Sequence, residues 1–353
     1  MTPARPSGAG APDILAQATG AGIHRLEVPT PFSVGAVNAY LIEDDPLTLV
    51  DTGPNSGTSL DQVERGLAGL GHRVEDLELI AVTHQHMDHL GLVDVLSRRS
   101  GAEVAALDAL APWAADWAAS MEAEDAYADA VMARYGVPAD VRAVLRGMTA
   151  SFRGWGAPMH VTVPLTDGVT ITLRDRELSV HHRPGHSPSD IVLHDRRSGV
   201  LFAGDHLLPE IASNPLISRP LGGATDASQR ESALLAYAAS LQLSRAMEVD
   251  MVLPGHGAPF TDHRQLIDQR LETWRRRAAR LHGILAEGPR TAYELAQATW
   301  GNIAVRQAYL MLSSIIGQAD LLLADGLVQE AVRDDGVVVF TAALEGGTPT
   351  SEV

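Results

Sequence analysis

Residues Leu79 to Leu92 read LIAVTHQHMDHLGL, an apolar run that leads directly into four side chains able to hold a metal ion. Leu79, Ile80, Ala81 and Val82 have the composition of a short buried strand, and the apolar spacing resuming at Leu90, with Leu92, Val93, Val95 and Leu96, predicts a helix. His84 and His86 lie two apart on an extended segment, so both imidazoles point to one side. Asp88 and His89 fall at the helix entrance, where free backbone N–H groups and the positive end of the dipole favour an aspartate. Two histidines, an aspartate and a third histidine at this spacing have no packing rationale.

Composition bounds what such a cluster serves. The 353 residues exceed one typical domain and predict a large domain plus a smaller one. A formal net charge of −17 argues against nucleic acid or an anionic membrane as the main partner. The absence of cysteine excludes disulfides, thiolate metal sites and a cysteine nucleophile. Lysine is absent too, so arginine carries all the positive charge. No apolar run reaches membrane-spanning length, and the N-terminal MTPARPSGAGAPDILAQATG lacks a continuous apolar core, so a cytoplasmic protein is expected.

Residues 1–19 are expected to form a flexible tail. Strands are predicted at Ile23 to Val28, Val37 to Ile42 and Leu47 to Val50, the last running into Asp51-Thr52-Gly53. Asp51 reads equally as part of a tight turn or as support behind a ligand. Ser56 to Gly71 predicts an amphipathic helix. Residues 104–160 look helical and hold most of the large aromatics, Trp113, Trp117, Tyr127, Tyr135, Phe152 and Trp155 among them. This insertion is either an accessory bundle with its own core or a lid whose apolar inner surface receives substrate. Its seven acidic residues against four arginines do not suit phosphates.

Strands return at Val161 to Val163, Val169 to Leu173 and Leu178 to His182, followed by Pro184-Gly185-His186. Ile191 to His194 and Val200 to Phe202 read as a hairpin ending in Gly204-Asp205-His206, and Met251 to Leu253 leads into Pro254-Gly255-His256-Gly257. Three times an apolar strand ends at a glycine beside His or Asp, which predicts strand ends converging on one rim.

The ordered set His84, His86, Asp88 and His89 (HxHxDH), His186 (GH), Asp205 (GD) and His256 (GHG), preceded by Asp51 (DTG), resembles the metallo-beta-lactamase fold superfamily across residues 20–262. The resemblance implies an α/β architecture, an αββα sandwich with a binuclear metal site at one edge. It implies His84, His86 and His186 on one metal, Asp88, His89 and His256 on the other, and Asp205 bridging both. Such nitrogen and oxygen ligands suit two divalent ions, Zn²⁺ foremost, with Mn²⁺ or Fe tolerated. A hydroxide shared by two metals then attacks an electrophilic carbonyl or phosphorus, and Asp88 orients it.

With Asp205 in place of a cysteine, the site is similar to glyoxalase II, acyl-homoserine lactonases and the beta-lactamase-like protein 2 group. Gly91-Leu92 and the lack of a basic cluster for glutathione set it apart from glyoxalase II. His206 faces either the pocket, with a role in substrate binding or proton transfer, or the opposite side of its strand.

Helices are predicted over Asp226 to Met247 and Thr261 to Ala286. In residues 263–345, a capping box at Thr291 and Glu294 starts a short helix, a second follows near Gln307 to Ala324, and Leu327 to Val332 with Val337 to Thr341 make a hairpin. This order resembles the winged-helix appendage of the beta-lactamase-like protein 2 group. With seven acidic residues and three arginines from Gly288 to Glu345, the unit is a poor nucleic-acid surface; it is expected to pack on the catalytic domain, narrowing the pocket or mediating a homodimer. Arg275, Arg276, Arg277 and Arg280 read as a solvated helix face, and residues 346–353 as a flexible tail. The function expected is hydrolysis of a small ester, lactone or thioester with an apolar acyl portion. A phosphodiesterase or endoribonuclease and a non-catalytic binding protein on the same fold are the alternatives.

Overall fold

Strands buried along their whole length need apolar layers on both sides, and the centre of the two main sheets is built of such strands. The computed structural model describes residues 11–211, 213–222, 226–301 and 308–343. The first sheet runs β1 (Ile23–Val28), β2 (Val37–Ile42), β3 (Thr48–Val50), β4 (Leu79–Ala81), β5 (Glu103–Leu107) and β6 (Val163–Leu165), in that order. It is antiparallel from β1 to β3 and parallel from β3 to β6. The second holds β7 (Thr170–Thr172), β8 (Glu177–His182), β9 (Ile191–Asp195), β10 (Val200–Gly204) and β11 (Met251–Pro254), ordered β11-β10-β9-β8-β7.

The inner faces share one core, in which Tyr40, Val50 and Ala81 join Val180, Leu193 and Phe202, the Tyr40 and Phe202 rings meeting edge to face at 5.7 Å. Helices Gly57–Gly69 and Val93–Ser100 bury Val63, Leu67 and Leu96 against the outside of the first sheet. On the second sheet, Val192, Leu201 and Val252 are covered by Leu234 and Leu241 of helix Ala233–Arg245 and by Ile267 and Trp274 of helix His263–Leu285. The architecture is therefore the αββα sandwich.

Strand direction places the ligands. β3 and β4 are parallel. β8 and β10 both run antiparallel to β9, and β11 runs parallel to β10. The C-terminal ends of these five strands consequently meet along one edge. Hydrogen bonds stitch the sheets there: Asn38 N donates to Gly255 O (2.7 Å), Tyr40 Oη to Pro254 O (2.8 Å) and Ile191 N to Thr83 O (2.9 Å).

Several expectations need correction. Within the stretch expected as an N-terminal tail, helix Ala11–Gly20 buries Ile14 and Ala18, four apart on one face, beside β1. Small residues concealed that spacing. Residues 1–10 and the expected tail 346–353 lie outside the described residues. The insertion starts after β5, an alanine-rich strand read as helix; its small side chains suit a central position between β4 and β6. The helix expected from Asp226 begins at Ala233, capped by Ser232, after a separate turn at Ala227–Gln229.

Beyond β11 come helices Ala292–Trp300 and Ala308–Ala324 and the hairpin of β12 (Val328–Val332) and β13 (Val338–Ala342). The capping box at Thr291 and Glu294 is present, while Gln307 lies outside the described residues. These elements share a second core with the insertion, where Tyr127, Val131 and Met132 meet Ile315, Ile316 and Phe340. The Tyr135 and Phe340 rings stack at 6.0 Å. Arg230 forks onto Asp320 (2.7 and 2.5 Å) and donates from Nε to the Tyr135 hydroxyl (2.7 Å). Among the described residues no helix is long and apolar enough to cross a membrane.

Both partners of the Arg230–Asp320 pair are buried, so removing one strands a charge. Arg230→Ala should cost about 3–5 kcal/mol in urea unfolding, and the joint exchange Arg230→Met with Asp320→Leu should recover most of it.

Candidate metal centre

Each predicted ligand follows a strand that ends at the shared edge. His84, His86, Asp88 and His89 follow β4, His186 follows β8, Asp205 follows β10 and His256 follows β11. Their donor atoms gather in three overlapping groups, each within 4.8 Å: His84, His86 and His186; His84, His89 and Asp205; Asp88, His89 and His256. The first and third are the two sets the resemblance implied. Asp205 stands between them, its Oδ1 3.4 Å from His89 Nε2 and its Oδ2 3.5 and 3.6 Å from His186 Nε2 and His256 Nε2.

Hydrogen bonds behind the rings decide which nitrogen faces inward. His89 Nδ1 donates to Asp51 Oδ2 (2.8 Å), His256 Nδ1 to Ala36 O (2.8 Å), His186 Nδ1 to Asn214 O (3.2 Å) and His84 Nδ1 to Thr83 Oγ1 (3.0 Å). Each leaves Nε2 as the inward atom, the arrangement that prepares an imidazole for a metal. His86 turns Nδ1 inward, 3.0 Å from His84 Nε2 and 2.9 Å from His186 Nε2. His84 and His186 both present lone pairs there, so a single proton on His86 Nδ1 serves only one of them, whereas a cation between the three nitrogens serves all.

Burial, helped by His89 and His86, keeps His84 well below its ordinary pKa, and burial with His186 lowers His86 to about 3. Burial opposes charge on Asp205, yet His89 and His256 beside it hold its carboxyl well below the usual range. Neutral imidazoles and ionised carboxylates are the forms that bind metal. Burial opposes charge on His89 and His256, yet Asp51 and Asp205 hold the His89 pKa well above its ordinary value and Asp205 raises that of His256, so a metal must displace protons from these two rings. His89 Nε2, His256 Nε2 and Asp205 Oδ1 are buried with no hydrogen-bond partner among the described residues. Divalent cations fit this donor set, which satisfies the orphaned atoms.

Asp51 takes the supporting role and forms the turn as well. Its Oδ1 accepts from Thr83 N (2.9 Å) and its Oδ2 from Thr83 Oγ1 (2.8 Å) and His89, with the backbone at φ 59°. Gly255 is required by crowding: a Cβ there would lie 2.3 Å from Asp205 Oδ1. Sequence reasoning missed the brace under His186. Ser187 N and Oγ donate to Asp190 (2.8 and 2.7 Å), and Ser189 Oγ accepts from Gln85 N (2.9 Å), locking this loop to the one carrying His84 and His86. Ser-x-Ser-Asp after Gly185-His186 was the available signal.

His206 faces away from the metals. Its Nε2 lies 2.9 Å from Ser244 Oγ, its ring packs on Tyr237, and burial with Arg183 lowers its pKa to about 3. The chain turns at Gly204, and alternation sends His206 into the helix layer as Asp205 faces the site. His206 lines no part of the chamber above the ligands, which takes it out of substrate binding and proton transfer.

Above the ligands opens a chamber of about 670 Å³. His86, Asp88, His186, Asp205 and His256 form its floor; Phe32, Trp113, Trp117, Met121 and Phe152 line one side, and Leu208, Ile217, Tyr309 and Leu310 another. The insertion thus both packs in the second core and walls the chamber, and the C-terminal unit narrows it through Tyr309 and Leu310. Glu124 is the one acid on the insertion's wall. Its oxygens accept from Arg219 N (3.0 and 3.2 Å), and burial raises its pKa to about 7.

A histidine and aspartate centre that fits divalent metal, set at the edge of an αββα sandwich, defines a metal-dependent hydrolase. The chain belongs to the metallo-beta-lactamase superfamily, whose family model matches residues 33–256. It is 31% identical to the probable metallo-hydrolase YqjP of Bacillus subtilis, over 85% of this chain and 92% of that protein. A beta-lactamase domain protein from Burkholderia ambifaria superposes with TM-score 0.76 at 25% identity, covering 91% of this chain and 92% of the other. A shorter match, 48% identical over 59 residues, covers 15% of this chain and 21% of the acyl-coenzyme A thioesterase MBLAC2 of Gallus gallus.

Asp51→Asn should weaken metal affinity about 10- to 100-fold in chelator competition, because the amide no longer fixes His89 as an anion does. Glu124 keeps its proton to about pH 7 in the folded state, against the ordinary 4.5. The folded state therefore binds more protons between those values, and stability falls as pH rises through them. Glu124→Gln should be more stable than the parent at pH 8, on the order of 1–3 kcal/mol, with the gap closing by pH 4 in unfolding titrations.

Proposed function

We propose that the protein hydrolyses a thioester, ester or lactone whose acyl portion is apolar, with a thioester as the favoured substrate. The observation that carries this reading is the chamber itself: an apolar cavity, aromatic on one side, whose floor is the metal-ligand set. The partial similarity to an acyl-coenzyme A thioesterase supports the thioester. No arginine lines the chamber among the described residues, so a phosphodiester placed over the metals finds no cation on its walls.

When bound, two divalent cations, Zn²⁺ by the preference of an all-nitrogen-and-oxygen donor set, supply a water that ionises near neutral pH and positive charge beside the acyl oxygen. The chain's residues do the rest. Asp88, whose carboxyl stays ionised against burial beside His256 and His89 and whose Oδ2 lies 3.3 Å from His256 Nε2, accepts a hydrogen from the attacking water and aims it. Trp113, Trp117, Met121 and Phe152 hold the acyl chain and exclude bulk water. The acyl carbon gains the water oxygen, its bond to the leaving sulfur or oxygen breaks, and the proton leaves with the thiol or alcohol.

Chelation should abolish thioester turnover and zinc should restore it, while Asp88→Ala should lower kcat by at least about 100-fold. In steady-state assays, Trp117→Ala should raise KM about tenfold for long acyl chains and little for acetyl. An equal rise across chain lengths would count against the chamber as the acyl site.

A further inference from the structure

Helix His263–Leu285 carries Arg275, Arg276, Arg277 and Arg280, and the four meet different surroundings. Arg276 lies 3.6 Å from Glu272 and donates to Thr273 Oγ1 (3.0 Å). Arg277 and Arg280, three apart and so on one helix face, make no ion pair among the described residues. They line a second cavity, of about 340 Å³, together with Thr299, Trp300, Ser314 and Gln318. No carboxylate lines this cavity among the described residues, although the chain carries a net charge of −17. Trp300 is 40% exposed.

This cavity adjoins the metal chamber. Asn214 and Leu310 line both, and Asn214 O accepts from the ligand His186. Two unneutralised guanidinium groups favour a phosphate, which they grip with paired N–H donors. An exposed indole offers a stacking face to a base, and the Thr299, Ser314 and Gln318 side chains add neutral hydrogen-bonding groups. The chamber, by contrast, takes an apolar chain and no phosphate. A molecule with a scissile acyl bond between an apolar end and a nucleotide end matches both cavities at once.

We propose that the cavity of Arg277, Arg280 and Trp300 binds the phosphate-bearing nucleotide end of a coenzyme A thioester, while the chamber holds its acyl end. The assignment rests on the thioesterase reading above. It makes the two arginines specificity residues that act on the leaving group, remote from the reacting atoms.

The test compares the zinc-loaded parent with the double variant Arg277→Glu, Arg280→Glu, both positions being exposed. Two readouts are needed: calorimetric binding of adenosine 3′,5′-bisphosphate, and kinetics on an acyl-coenzyme A against the same acyl group on N-acetylcysteamine, which has no phosphate. The variant should bind the bisphosphate about 10- to 100-fold more weakly and show a comparable rise in KM for acyl-coenzyme A with kcat retained. Its kcat/KM on the truncated thioester should not change. Trp300→Ala should weaken the bisphosphate and leave inorganic phosphate unaffected. An unchanged KM for acyl-coenzyme A overturns the proposal, as does inorganic phosphate competing as well as the nucleotide. Arginine-dependent bisphosphate binding without hydrolysis of either thioester supports the nucleotide site and removes the thioesterase reading alone.

Discussion

Asp51 is the point through which the two halves of the metal edge communicate. Its carboxylate holds Thr83 at the end of β4 and His89 at the head of the following helix, and Thr83 in turn braces His84. Imidazoles packed this closely have every reason to spread apart, since each ring gives up water and a proton on any one of them repels the rest. Anionic groups at the centre and behind the rings, Asp205 and Asp51, keep them in place. The left-handed backbone at Asp51 is a local cost borne for that geometry.

The division of labour above the metals follows from the same scarcity of water. A polar floor under apolar walls makes charge effects strong at the metal ligands and leaves an apolar group to bind above them by area alone. The walls come from segments distant in sequence: a loop near Phe32, the insertion, the stretch from Leu208 to Ser218, and helix Ala308–Ala324. Placing Glu124 on such a wall raises its pKa for the reason it would rise in any poorly hydrated site.

The ligands and the sandwich were legible in the sequence because their signals are local. His84 to His89 form one contiguous motif, and each later ligand sits beside a glycine at the end of an apolar strand. Asp190 and its serines escaped notice because their purpose, bracing the His186 loop against Gln85, depends on a partner 104 residues away. β5 was read as helix because alanine favours helices in isolation, and only its position between two strands makes it extended. His206 stayed open because strand alternation fixes a direction only once the strand's end is known. The pairing of the insertion with the C-terminal unit has no local trace, since neither segment's apolar pattern names its partner.

That shared second core has a consequence for how the molecule comes into being on the ribosome. Every metal ligand has been synthesised once His256 emerges, and both main sheets have all their strands by then. The insertion, made more than a hundred residues earlier, must wait with Tyr127, Val131 and Met132 uncovered until Ile315, Ile316 and Phe340 arrive. A nascent chain therefore gains its metal-binding rim before the chamber above it is closed, and in that interval it exposes a greasy flank, the kind of surface that folding helpers shield.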